Sequence, residues 1–384
     1  KGQYIIRLHN VQRIPWEDQD FLSVNVTIRN PSAQSKPVPA LEGSFLLDNT
    51  VDVPFQSIQK DNVIAIKGLS SISYTLYGKI PYTYDYSTLK IGLKEKTGDN
   101  ASIDIVEFVT DSKVQQLKSI PVNGSHRITG TGRQAEITIR DVRTYSGVDN
   151  DIYTVIVDIT NMEKRYSNIA QLVGYFHAKN DLMFPVTITK IEKKVSPLSK
   201  ASIYMYTTLP KDFDVSDMQL ILGEAVNENQ FIETGEPTAY VNPVSFHLPV
   251  EDKTPKQDFT DLVLFPYTIS FENFRATFKT ADSVNLSFRY SMSKNNLVET
   301  SDLEHQLVLE FWDVLGDIHY STTFTLDKGQ GDSNLSLGEH TMNIEIDDPF
   351  VLLKMQSLKT FKIRLYDQFM GQKKLLAENE YEWF

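Results

Sequence analysis

The chain has 384 residues, with 38 Lys plus Arg against 50 Asp plus Glu for a formal charge of −12, and it contains no cysteine. That length predicts two or three domains, and the acidic balance gives no broad grip on nucleic acid phosphates or anionic lipid. Disulfides, thiol nucleophiles, zinc-thiolate sites and iron–sulfur ligation are excluded together, and no segment approaches the roughly 18 uninterrupted apolar residues of a membrane helix.

In chain order, the segment YIIRLHNV from Tyr4 runs into an acidic turn at Trp16 to Asp20 and then into LSVNVTIRN, ending at Asn30. The same grammar returns from Ala135 as AEITIRDV, then GVDND, then YTVIVDITN, ending at Asn161. Val11 and Val142, Asp18 and Asp149, Asp20 and Asp151, Val26 and Val157, Asn30 and Asn161, Leu41 and Leu172, Gly43 and Gly174, Phe45 and Phe176, and Pro54 and Pro185 all differ by 131. After a two-residue slip the offset is 129, pairing Tyr77 with Tyr206, Pro81 with Pro210, Asp85 with Asp214 and Ser87 with Ser216. Self-similarity at a fixed period is the signature of a repeat architecture. A third, divergent copy opens at Tyr267 with YTISFENF and VNLSFRYSM, and its FKIRL run at Phe361 matches the late strands of the others.

The runs LSVNVTI, YTVIVDI and VNLSFRY alternate apolar and polar residues, the period of a strand with one face buried and one in water. Asp48-Asn49, Asn180-Asp181 and Gly316-Asp317 each sit between two apolar runs, as hairpin turns do. The expectation is an all-β chain of three tandem immunoglobulin-like β-sandwiches of about seven short strands each, at residues 1–98, 135–225 and 267–384. The connecting arms, 99–134 and 226–266, carry turn residues and apolar runs, IDIVEF and YVNPVSFHL, that can pair, which suits ordered arms and a fixed rod. DSKVQQLKSI from Asp111 reads as a short linker helix, and SDLEHQL from Ser301, with Glu304 at the capping-box position, as one helical turn at most.

The order in the first copy is VNVTIRNPS, SFLLDNTVDVPF, SSISYTLYGKIP and LKIGL. In the second it is VDITN, GYFHAKNDLMFPV, KASIYMYTTLP and MQLIL. This pattern resembles the telokin-like, immunoglobulin-like extracellular domains of Gram-positive bacterial cell-envelope proteins. The resemblance implies a secreted, lipid-anchored or wall-associated protein at the cell surface. Because the chain opens Lys-Gly-Gln-Tyr, which is no signal peptide, an export or anchor segment is expected upstream of Lys1.

Chemistry is sparse. The histidines at 9, 126, 177, 247, 305, 319 and 340 show no i, i+4 zinc spacing. TGTGR at Thr129 lacks the Lys-Ser/Thr of a phosphate loop, and no G-x-S-x-G elbow presents a serine. Five N-x-Ser/Thr sequons begin at Asn25, Asn100, Asn123, Asn285 and Asn334, and those at Asn25 and Asn285 fall within expected strands. Asp18 with Asp20 and Asp149 with Asp151 occupy equivalent turns and are candidate calcium ligands, although Asp is also a good turn former. Tyr82, Tyr84 and Tyr86 share a face if that stretch is extended. With Trp16 and the terminal Trp383, they are candidate rings for stacking on sugars or anchoring a partner. Triplication argues against an enzyme. The expected function is a non-catalytic structural or protein-binding module without cofactor, apart from calcium, whose partner is an envelope or matrix protein. A polysaccharide-binding protein and a self-assembling surface-layer or filament subunit are the alternatives.

Overall fold

The computed structural model describes residues 4–98, 101–111, 113–191, 193–280, 283–301, 305–313, 318–328, 333–347 and 360–382. The protein is all-β. Among these residues no α-helix occurs, and the helical content is one 3-10 turn at Lys179–Asp181.

The opening strands are β1 (Ile5–Trp16), β2 (Gln19–Arg29), β3 (Lys36–Pro37), β4 (Leu41–Leu47), β5 (Val51–Pro54), β6 (Gln56–Gln59), β7 (Ala65–Ile66), β8 (Ser71–Pro81), β9 (Thr88–Gly98) and β10 (Ala101–Asp111). There follow β11 (Lys118–Ile120), β12 (Ser125–Ile128), β13 (Ala135–Ser146), β14 (Asn150–Asn161), β15 (Leu172–His177), β16 (Met183–Pro185), β17 (Thr187–Ile188), β18 (Lys200–Pro210), β19 (Gln219–Asn227), β20 (Gln230–Phe231) and β21 (Ala239–His247). The last are β22 (Leu262–Leu264), β23 (Tyr267–Thr280), β24 (Ser283–Lys294), β25 (Val298–Thr300), β26 (Gln306–Asp313), β27 (Ile318–Leu326), β28 (Asn334–Leu335), β29 (Gly338–Asp347), β30 (Thr360–Phe369) and β31 (Gln372–Glu382).

Two compact units emerge: Lys1–Arg140 with Val157–Met205 and Val215–Pro249, and Asp141–Ile156 with Tyr206–Asp214 and Val250–Phe384. In the first unit, sheets β1-β2-β8-β6 and β10-β9-β4-β5 share one core. Leu22, Val24, Val26 and Ile28 point inward from β2 and are at most 1% exposed, meeting Phe45 and Leu47 of β4 and Ile91 of β9. The period-two pattern thus places every second side chain in that core. A further sheet has the order β11-β21-β19-β15-β16. In the second unit, β22-β23-β24-β29 and β31-β30-β26-β27 enclose a core that includes Phe271, Phe288, Phe311 and Phe361.

Both arms are ordered by pairing. IDIVEF lies in β10, antiparallel to β9, and YVNPVSFHL lies in β21, antiparallel to β19. The expected linker helix does not form. Lys113 to Leu117 is irregular because the Gln115 N–H donates to the carbonyl of Val11 (2.8 Å), and Lys118–Ile120 pairs in parallel with β21. β14 also departs from expectation, since both of its faces are buried where one was expected in water. Its polar residues are paid for by bonding: Asp158, 4% exposed, accepts from Arg140 at 2.8 and 2.6 Å and from Ser202.

Asp48 (φ 48°) and Asn49 (φ 58°) make the β4–β5 turn, and Asn180 (φ 61°) and Asp181 (φ 57°) the β15–β16 turn. Successive left-handed residues suit the twist of a hairpin. Gly316-Asp317 and most of the Ser301 turn lie outside the described residues.

Gly43 has φ +147°, and a Cβ there would stand 1.9 Å from the Gly92 carbonyl oxygen, whereas Gly132 (φ +85°) faces open space. Gly43→Ala is expected to lower stability by about 1–3 kcal/mol through strain alone and by more once the clash is met. Gly132→Ala should cost only about 1 kcal/mol. Urea unfolding of the two variants checks the difference.

Candidate functional site

The β1–β2 hairpin carries the first group of candidate residues. Trp16 is 7% exposed, with its ring 5.4 Å from Phe21 and 6.0 Å from Tyr240. Ile14, Tyr77, Tyr175 and Ile221 complete the cluster. Its polar rims are satisfied: the Tyr240 hydroxyl donates to the Pro15 carbonyl (2.9 Å), the Glu17 N–H donates to the Tyr175 hydroxyl (3.0 Å), and the Tyr77 hydroxyl donates to the Glu228 carbonyl. Burial raises the Tyr77 hydroxyl pKa to about 12, helped by the nearby Glu228 charge. The structure therefore closes Trp16 inside a packed contact, where it has no face to offer a sugar or partner.

Beside it, Arg13 donates through Nε to the Asp20 carboxylate, through Nη1 to the Tyr84 carbonyl (3.0 Å), and through Nη2 to the Pro81 (3.2 Å) and Tyr82 carbonyls. This clamp, with the Tyr84 N–H on the Pro81 carbonyl (2.9 Å), turns the chain at Tyr82. The expected extended row of tyrosines is not formed. Tyr82 is 64% exposed, while Tyr84 and Tyr86 pack half-buried against the first core. Burial also raises the Tyr86 hydroxyl pKa, against the lowering effect of Arg13. Trp383 lies outside the described residues.

The carboxylate pairs separate into one exposed and one engaged member. Asp18 and Asp149 are exposed, Asp20 is held by Arg13, and the buried Asp151 accepts from Lys211 Nζ (2.9 Å) and the Asp212 N–H (3.0 Å). For Asp151, burial raises the pKa, but Lys211 and the backbone donors outweigh it and the net shift is downward. Among the described residues, no three His, Asp or Glu side chains gather where they could hold a metal ion. The geometry thus gives each engaged carboxylate a cation from the protein itself.

A residue that sequence reasoning missed is Asp367, at the centre of a buried polar cluster in the second unit. It is fully buried and accepts from His305 Nδ1 (2.7 Å), the Tyr145 hydroxyl (2.8 Å) and Arg143 Nη1 (3.1 Å). Phe369 stacks on His305 with centroids 5.0 Å apart. Burial raises the Asp367 pKa, yet the His305 charge and hydrogen bond, then Arg143 and Tyr145, bring it below the ordinary carboxylate value. The signal was present in the strand itself, where Phe361, Ile363, Leu365, Asp367 and Phe369 alternate inward.

The first unit also has an open cleft of about 760 Å³ whose lining includes five carboxamides, Gln59, Asn62, Asn168, Asn229 and Gln230, beside Phe231. Arg133 roofs Phe231 with its guanidinium carbon 3.4 Å from the ring centroid and is anchored by Glu224 (2.6 Å) and the Lys60 carbonyl (3.0 Å). Carboxamides both donate and accept, which matches the hydroxyls of a neutral polar ligand. No protein-family model matches the chain, and no curated protein matches it.

Asp367→Asn takes from the buried Arg143 one of its two carboxylates, Asp141 remaining on Nε (2.9 Å), and removes the charge that His305 bonds; it is expected to cost about 1–3 kcal/mol. Because the folded pKa is depressed, the contribution of Asp367 is fully present above its unfolded value of about 3.9 and is lost as pH falls through the folded one. Acid unfolding of the wild type should therefore contain a limb below about pH 4 that is shallower in the variant.

Proposed function

We propose that the chain is a non-catalytic extracellular module of a Gram-positive cell envelope, structural or protein-binding, built from three immunoglobulin-like copies. Support for threefold repetition comes from the sheet orders β10-β9-β4-β5, β21-β19-β15-β16 and β31-β30-β26-β27, which follow one pattern of connections. The likeness of the first two copies is supported further by Asn30 and Asn161. Each is buried, donates from Nδ2 to the carbonyl four residues on (2.7 and 2.9 Å) and to a carbonyl later in the chain, that of Ile66 or Val195, and accepts from the N–H two residues on.

The observation that carries the functional reading is the use made of each hairpin end. In the first unit, Trp16, Phe21 and Tyr77 pack on Tyr175, Ile221 and Tyr240. In the second, Tyr145, Ile152 and Tyr206, the sequence equivalents of Ile14, Phe21 and Tyr77, pack with Phe369. The rings are committed to joining one copy to the next, and Asp20 and Asp151 to bonds within their own copies, the behaviour of a scaffold. A polysaccharide-binding reading is favoured by one feature, the carboxamide cleft beside Phe231.

Purified protein should be retained saturably by a protease-sensitive component of Gram-positive envelopes and should turn over no glycosidase, esterase or peptidase substrate. Retention by protein-free wall polysaccharide that Gln230→Ala abolishes would instead favour the cleft, and turnover would defeat the non-catalytic reading. Trp16→Ala is expected to cost about 3–5 kcal/mol and Tyr82→Ala less than about 0.5 kcal/mol, as measured by denaturant unfolding.

A further inference from the structure

Three strands occupy the same place beside their partners: β10, β21 and β31 each pair with the strand carrying the late run LKIGL, MQLIL or FKIRL. Val106 lies opposite Leu93, Val244 opposite Leu222, and Ala377 opposite Leu365. The register breaks immediately beyond that pair in all three sheets, between Asp104 and Val106, between Leu222 and Glu224, and between Leu365 and Tyr366. These positions are therefore structurally equivalent.

At two of them the outer edge is already taken by an extended segment running in parallel. Lys118 of β11 pairs with Val244, Ser119 with Ser245 and Ile120 with Phe246. Lys256 makes the corresponding parallel bridge to Ala377, its N–H donating to the Leu376 carbonyl (2.9 Å) and its carbonyl accepting from the Glu378 N–H (3.0 Å). Both segments place a lysine at the pairing position, and β11 follows it with Ile120, only 3% exposed.

The third position is open. β10 ends its sheet, and among the described residues no strand lies along its outer edge. Where Val244 and Phe246 are 3% and 0% exposed and Ala377 is 0% exposed, Val106 and Phe108 are only half-buried. Ile103 and Val109 of the same strand are 60% and 65% exposed. β10 carries Asp104, Glu107 and Asp111 and no basic residue.

We infer that the outer edge of β10 at Ile105–Phe108 is a strand-acceptor site for an extended segment of another polypeptide, added in parallel, with a basic residue opposite Val106 and a branched aliphatic residue beside Phe108. By equivalence with Leu376 and Glu378, the Ile105 carbonyl and the Glu107 N–H are the outward-facing pair that the segment bonds. Backbone bonds supply the affinity and the alternate side chains the selectivity. The lysines at the two filled positions set the basic residue, and the incoming aliphatic side chain completes the cover that Phe246 already has. The inference rests on the repeat reading for its register, but it concerns β10 alone.

The test uses the whole chain and a synthetic peptide of residues 115–122, QQLKSIPV, followed by amide hydrogen exchange. The expected result is at least about tenfold slower exchange at Glu107 in saturating peptide, with no effect from a peptide N-methylated at its lysine. Glu107→Pro, read at the next outward-facing amide, Val109, because proline carries none at 107, should remove the protection that the peptide gives there, and proline is tolerated on an edge strand. If that variant does not fold, Glu107→Lys should weaken binding by charge alone. Absence of protection, or protection that survives both N-methylation and the variants, overturns the proposal. So does a dimer of the chain alone that Glu107→Pro dissolves, because the edge would then belong to a second copy. Failure here leaves the hairpin-end packing, tested through Trp16, untouched.

Discussion

Burial of Trp16 against Tyr240 is the contact on which the arrangement of the first unit depends. A two-sheet core closes along its faces but leaves its hairpin ends projecting, and a hairpin ending in Ile14, Trp16 and Phe21 exposes a large apolar surface unless something covers it. Covering it sets conditions on every polar atom nearby, because an unpaired buried donor or acceptor costs about 1–3 kcal/mol. The structure meets them with backbone groups of the hairpin itself: the Pro15 carbonyl and the Glu17 N–H bond the two tyrosines that form the opposite wall. The aromatic contact is thereby fixed in orientation as well as in position, and the Arg13 clamp beside it holds the turn at Tyr82 away from the rings.

The second unit solves the same problem with different residues. Gly147 stands where the offset places an equivalent of Trp16, so the hairpin end is smaller, and Tyr145 of the hairpin's own β13 and Tyr206 of β18 supply the rings. The Tyr145 hydroxyl then needs a buried acceptor, and Asp367 provides it. A buried carboxylate is costly unless it is paired and hydrogen-bonded, which accounts for the convergence of Arg143 and His305 on the same group. One buried hydroxyl thus draws in a charged network, whereas the first unit satisfies its tyrosines from the main chain.

Much of the fold was legible because period-two alternation and a constant offset are local signals. Both expected connecting strands formed, as did the two described turns with successive left-handed residues. What misled was the second face of each element. Alternation distinguishes one side of β14 from the other, but it does not tell whether the polar side meets water or, as for Asp158, an arginine and a serine. The same limit applies to the candidate site. An acidic pair at a turn looks like a ligand pair until the cation arrives from elsewhere: from Arg13 on the same hairpin in one instance and from Lys211, about 60 residues away in sequence, in the other. Spacing along the chain carries no trace of that second partner. Asn30 and Asn161 show the reverse. Their shared offset marked them, but only the pattern of bonds to the following loop explains why an asparagine, with its donor and acceptor on one short side chain, fits both positions.

An all-β chain without cysteine must also manage its sheet edges, since each unpaired edge is a template for unintended pairing. This protein places a register break at the same point of β10, β21 and β31, and such breaks bend an edge and interrupt its ladder. At β21 and β31 the remaining straight stretch is capped by a segment of the chain itself. β10 has the same break, yet Ile103 and Val109 are exposed and, among the described residues, no strand lies along its outer edge. Glu107 at the centre of that edge places a negative charge where a second copy of the same strand would bring another, so the edge is guarded against its own kind.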